Sequence, residues 1–155
     1  MTVAIPMTSP AASAVPREAQ ETPAMIDMTL YDPATGRIAG VATCMNVMLD
    51  LAYPDYAKHL GEKLDGRTLY IDPVTKEVCR RPQISLVVNK TRIAADGADS
   101  ATITGLRTGT MLYLNGRKTV VNDGEIIFST PHPGLHRLNF ESFPYQDIEV
   151  VIHAT

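Results

Sequence analysis

From Met25 onward the chain is cut into short pieces by tight-turn chemistry, and this punctuation limits the fold more than any other feature. Asp32-Pro33-Ala34-Thr35-Gly36 and Asp72-Pro73-Val74-Thr75 each put Asp first and Pro at the φ-restricted second turn position. Asn115-Gly116 is the strongest two-residue hairpin signal, and Asp123-Gly124 opens another turn. Between these breaks the apolar period is mostly two. Ile84, Leu86 and Val88 alternate with Gln83, Ser85 and Asn89. Ala101 and Ile103 share a face, His136, Leu138 and Phe140 alternate, and Ile148, Val150 and Ile152 are set against Glu149, Val151 and His153. No helix is needed. Six or seven short strands in the last 65 or so residues is the pattern of a small β-sandwich.

Upstream, "MIDMTLYDPATGRIAGVATC" reads as strand, turn, strand, and "LYIDPVTKEVCRRP" repeats the device, which suggests two hairpins facing each other. Between them, Val47 to Leu51 reads as a strand followed by an irregular loop. Residues 1–23 carry prolines at 6, 10, 16 and 23 among Ala, Ser and Thr, a composition that makes neither helix nor ladder. The expected fold is therefore all-β. An extended arm (1–23) precedes a small N-terminal β-hairpin domain (24–90) and a C-terminal Ig-like β-sandwich (91–155), with Gly97 and Gly105 as turn residues.

Composition narrows the function classes. Hydrophobic residues at 45% support a packed core, and 14 basic against 17 acidic residues leave no basic surplus for nucleic acid. No apolar run approaches a membrane span, and the first residues lack the basic and apolar regions of a secretory signal. Cys44 and Cys79 fit no zinc or CxxC spacing. A disulfide between them requires the two N-terminal strand pairs to stack, and reduced, buried thiols are the expectation.

Chemical sites are sparse. Asp96 and Asp99 flank Gly97 and could offer oxygens to calcium, but turn geometry explains them equally, and a calcium loop packs its carboxylates more densely. His132 and His136 would share a helix face, which Pro133-Gly134 forbids. His59 and His153 have no carboxylate or cysteine neighbour in sequence. No GxSxG elbow, P-loop or dinucleotide fingerprint is present, and most acids lie in turns, so no catalytic, cofactor or metal residue is assigned.

The candidate residues are contact residues. Val3, Ile5 and Met7 alternate beside prolines and suit a groove on a partner. Arg80 and Arg81 suit an acidic neighbouring subunit. Phe143 and Tyr145, around Pro144, are the most exposed aromatic candidates, shared between packing and partner contact. The remaining tyrosines lie at strand ends, where packing explains them.

The order "ADGADSATITGL.TGT" then "V.DGEI.F....PG.HRL..E.FPY.D.EV.IHA" resembles the C-terminal Ig-like domain of a family of small proteins encoded among the tail and fibre genes of tailed bacteriophages. "LYDPATGRI" and "LDGRTLYIDPVTKEVCRRP" resemble the N-terminal half of the same family, so the resemblance spans Met28 to Thr155 and leaves the arm outside it. It implies a non-enzymatic virion protein assembled in the host cytoplasm. Its partners would be other virion subunits or copies of itself in a symmetric assembly. A capsid decoration protein, a host-surface glycan-binding module and a fibre assembly chaperone are the competing readings.

Overall fold

The computed structural model describes residues 22–155, so the arm and its Val3, Ile5 and Met7 lie outside the described residues. The described chain is all-β, with thirteen strands and one 3-10 turn. In the N-terminal module, β1 (Met25–Tyr31) lies between β2 (Ile38–Met45) and β3 (Ala57–Leu60), antiparallel to both. A separate hairpin pairs β4 (Leu69–Ile71) with β5 (Val78–Arg80). Met28, Leu30, Tyr31 and Ile71 form the buried apolar part of this module. Thr29 is buried among them, and its hydroxyl is saturated. It donates to the Glu62 carbonyl at 2.8 Å and accepts the Leu64 N–H at 2.9 Å, tying the 61–66 segment to β1.

The two Asp-Pro turns work as expected. Asp32 accepts the Ala34 N–H at 2.8 Å, and Asp72 accepts those of Val74 and Thr75 at 2.8 and 2.9 Å. They also touch. The Ile71 N–H donates to the Gly36 carbonyl at 3.0 Å, and a Cβ on Gly36 would stand 1.7 Å from the Ile71 carbonyl oxygen. Gly36 also has φ +79°, so both space and conformation require glycine here.

Val47 to Leu51 is not a strand. Asn46–Met48 forms a 3-10 turn, and the third strand of the sheet falls later, at Ala57–Leu60. The cause is Asn46, whose side-chain oxygen accepts the N–H groups of Val47 and Ala24, bending the chain out of extension where an apolar run suggested a ladder. Cys44 and Cys79 are both free and half-buried.

The C-terminal half is an Ig-like sandwich of two sheets. One orders β10 (Arg117–Val121), β9 (Thr110–Leu114), β12 (Gly134–Glu141), β13 (Ile148–Ala154) and β7 (Arg92–Ile93); the other orders β11 (Glu125–Ser129), β8 (Ser100–Thr104) and β6 (Val87–Val88). In immunoglobulin lettering these are C′CFGA′ and EBA. The first strand is split between sheets, β6 pairing antiparallel with β8 and β7 parallel with β13. Leu86 and Val88 pack against the sandwich core, so residues just before the expected boundary at 90 belong to this half.

Alternation drives the sandwich. Ala101 and Ile103, Leu138 and Phe140, and Val150, Ile152 and Ala154 all point inward. Each fully buried Ile or Leu contributes about 1.5–3 kcal/mol of transfer free energy. Asn115 and Gly116 both have positive φ and join β9 to β10, as their sequence predicts.

Gly36→Ala should destabilise the chain by about 3 kcal/mol or more, because the clash is with backbone that cannot rotate away. Gly116→Ala, in open space, should cost only about 1 kcal/mol for its φ. Urea unfolding of both variants checks the ratio.

Candidate interaction surface

Two regions concentrate the chemistry: a joint between the halves, and an apolar tip at the far end of the N-terminal sheet. The joint is organised by Arg81. Its side chain is 2% exposed, yet every guanidinium nitrogen has a partner. Nε donates to the Pro144 carbonyl at 3.1 Å and Nη1 to the Gly66 carbonyl at 3.0 Å. Nη2 donates to the Tyr145 carbonyl and to the Asp147 carboxylate, the latter at 2.8 Å. Gly66 belongs to the N-terminal module, while Pro144, Tyr145 and Asp147 form the β12–β13 loop of the sandwich. One planar cation thus holds both halves. Gln146 adds two bonds: its N–H donates to the Pro82 carbonyl at 2.9 Å and its side-chain amide to the Arg81 carbonyl at 3.0 Å.

Arg81 therefore departs from its sequence expectation. Its acidic partner is Asp147 of the same chain, and the side chain presents nothing to a neighbour. Arg80, on the other face of β5, is exposed. Phe143 is half-buried, with Tyr70 edge-on at 5.7 Å and the guanidinium groups of Arg37 and Arg81 over its ring at 5.6 and 5.5 Å. Tyr145 stacks under Arg107 at 4.5 Å. The structure thus brings Arg81, Phe143 and Tyr145 together, as cement between modules. Arg37 and Glu141 add a 3.2 Å surface pair across the same joint, a small contribution at that exposure.

The tip is different. Met25 and Met45 are cross-strand partners on one face, and the chain runs from Met45 into Val47, Met48, Leu51 and Tyr53, all exposed. Met25 is 67% exposed and Leu51 74%. These side chains cluster along one stretch and its strand partner, at the end of β1 opposite the Arg37 turn that meets the sandwich. Large apolar side chains gathered in one place mark a contact surface more than singly scattered ones do. Residues 22–24 lie against this tip. Asn46 holds them there, its side-chain amide donating to the Thr22 carbonyl at 3.2 Å while its oxygen accepts the Ala24 N–H at 3.1 Å. Sequence reading missed the tip because it placed these apolar residues in a strand. Asn46, a turn former inside the run, was the available signal.

The remaining chemical candidates are engaged structurally. Asp96 accepts the N–H groups of Ala98 and Asp99 at 2.8 and 2.7 Å; Asp99 accepts the Ala94 N–H at 2.9 Å and pairs with Lys90. Backbone bonds lower the Asp96 and Asp72 carboxyls below their ordinary value, and the bond from Lys90 does the same for Asp99. The His136 ring nitrogen lies 3.0 Å from the His132 carbonyl, and the ring packs against Phe128 at 5.3 Å. A concavity of about 700 Å³ is lined by Arg67, Glu141, Asp147 and Glu149 among others. Each of its three acids already meets an arginine: Arg37, Arg81 and Arg137 respectively.

Arg81→Ala should cost about 2–4 kcal/mol, because it strands several carbonyls that the guanidinium now satisfies. Arg80→Ala should change stability by less than about 0.5 kcal/mol. Denaturant titration of both checks the contrast. The turn carboxylates also give a pH signature. Their folded values lie below the unfolded value of 3.8, so their contribution is complete above that pH and disappears as pH falls through the folded values. Asp72→Asn and Asp96→Asn chains should accordingly lose less stability than the parent on acidification below about pH 4, measured by urea midpoints along a pH series.

No protein-family model matches the chain, and no curated protein matches it. Among solved structures it is similar to a glycosyl hydrolase family 2 member from Bacteroides cellulosilyticus, at 13% identity and a TM-score of 0.37, over 84% of this chain and 21% of that one. The chain thus spans about a fifth of that protein's length, and a likeness of this size carries no argument about function.

Proposed function

We propose that this chain is a non-enzymatic structural subunit of a tailed-phage virion, seated in the distal or fibre-bearing part of the tail. It would dock onto neighbouring subunits through its arm and its β edges. The observation that carries the reading is the apolar tip from which the arm departs. Apolar side chains held in water at one end of a rigid module stabilise association when a partner covers them. An extended arm rooted in the same place adds contacts by strand pairing or groove filling. The joint suits a scaffold role, because Arg81 fixes the two halves as a unit. The resemblance in motif order over Met28 to Thr155 supplies the phage context.

Deleting Met1 to Pro23 should leave a folded protein that no longer joins the particle. Met45→Asp with Leu51→Asp should have the same effect with the arm intact. Far-UV circular dichroism reports the fold, and mass spectrometry of purified particles reports incorporation and copy number. A few to a few dozen copies fit a tail, whereas hundreds would move the chain to the capsid. Unchanged incorporation of both variants would refute docking.

A further inference from the structure

The sandwich is open on one side. In an immunoglobulin domain that has strand D, that strand lies on the outer edge of E. Here Asn122–Gly124 connect β10 directly to β11, and among the described residues no strand pairs with the outer edge of β11. Beside this gap run two concavities of about 490 and 430 Å³ that share Leu112 and Thr119. Leu114 and Arg117 extend the first, while Val121, Ile126 and Ile127 extend the second together with Asp123 and Glu125. Ile127 is 65% exposed on the unpaired strand. An unpaired edge beside a groove with apolar side chains on its floor and polar ones on its rim is a geometry that accepts an added strand.

We propose that this empty D position receives residues Thr2–Thr8 of a neighbouring copy. The seat deepens the subunit reading above and rests on it. Three features of the arm fit. Its first sixteen residues carry no charged side chain, so they can cover Leu112, Leu114 and Ile126 without burying a charged side chain of their own. Val3, Ile5 and Met7 recur every second residue, which in an extended strand puts all three on one face. Pro6 falls in the alternate set. In a strand, successive residues direct their N–H and C=O groups to opposite sides. A strand bonding β11 through its odd residues therefore leaves the proline, with no N–H, on the outer side. That outer side is blunted against further strand addition.

Reach and direction suit a neighbour. Residues 8–21 extend up to about 45 Å at about 3.3 Å each, enough to cross to an adjacent molecule. The arm leaves at the Met25 end of β1, whereas the Tyr31 end approaches its own sandwich through Arg37 and Glu141. One arm and one seat per chain make a head-to-tail contact, which closes into rings or continues as a helical array.

The test uses full-length chains. Thr119→Arg fills the seat but keeps the arm, and Ile5→Asp ruins the arm but keeps the seat. The parent should self-associate in sedimentation velocity, and each variant alone should be monomeric. An equimolar mixture should give a one-to-one dimer, because one intact arm meets one intact seat. Should Thr119→Arg lose its far-UV spectrum, Thr119→Gln, a shorter side chain on the same face of the strand, replaces it. A monomeric parent, variants that associate like the parent, or a mixture that stays monomeric would each overturn the seat. Its failure is separable from that of the subunit reading. Arm-dependent incorporation into particles without dimers in the mixture leaves the subunit reading standing and removes the seat, and dimers without incorporation do the reverse.

Discussion

A single buried guanidinium decides whether this protein is one body or two. Arginine stays charged at any pH a protein meets, and taking it out of water is costly unless its donors are met. Arg81 meets that condition by drawing the 66–67 segment and the 144–147 loop into one shell of carbonyls, closed by the Asp147 carboxylate. The desolvation cost is offset only when both halves are in place, so the joint forms all together or not at all. Phe143 and Tyr70 then exclude water from its side. Everything that needs a fixed distance between the apolar tip and the sandwich depends on this arrangement.

Much of the fold was legible because its causes are local. Asp-Pro and Asn-Gly pairs act through backbone angles and side-chain-to-backbone bonds two or three residues away, so a short window contains them. Alternation in β8, β12 and β13 reports a buried face directly, and Ile103, Leu138 and Ile152 are fully covered as their spacing indicates. The contact between the two Asp-Pro turns was foreseen only as two hairpins facing each other. The glycine that makes it close was not, since nothing in "ATG" says which carbonyl will approach.

The joint was illegible for a physical reason. Four of the acceptors of Arg81 are main-chain oxygens, which every residue possesses, at sequence separations from 14 to 64. No side-chain pattern encodes them, so an arginine pair beside a proline read as a surface feature. The 46–53 segment failed differently. Its apolar residues have strand-like character, but one asparagine side chain outbids the ladder for the nearby N–H groups. The apolar run then becomes surface rather than core, which is how the tip arises.

The split first strand has a mechanical consequence. Tension entering from the N-terminal module reaches the sandwich at β6 and β7 before any other strand. The β7 strand runs parallel to β13, bridged by bonds from His153 to Thr91, from Thr155 to Ile93 and from Ala95 to Thr155. Pulling the leading end of one strand against the trailing end of its parallel neighbour loads these bonds in shear, so they must fail together instead of unzipping one by one. That contact therefore resists most strongly a pull that draws the start of β7 away from the end of β13.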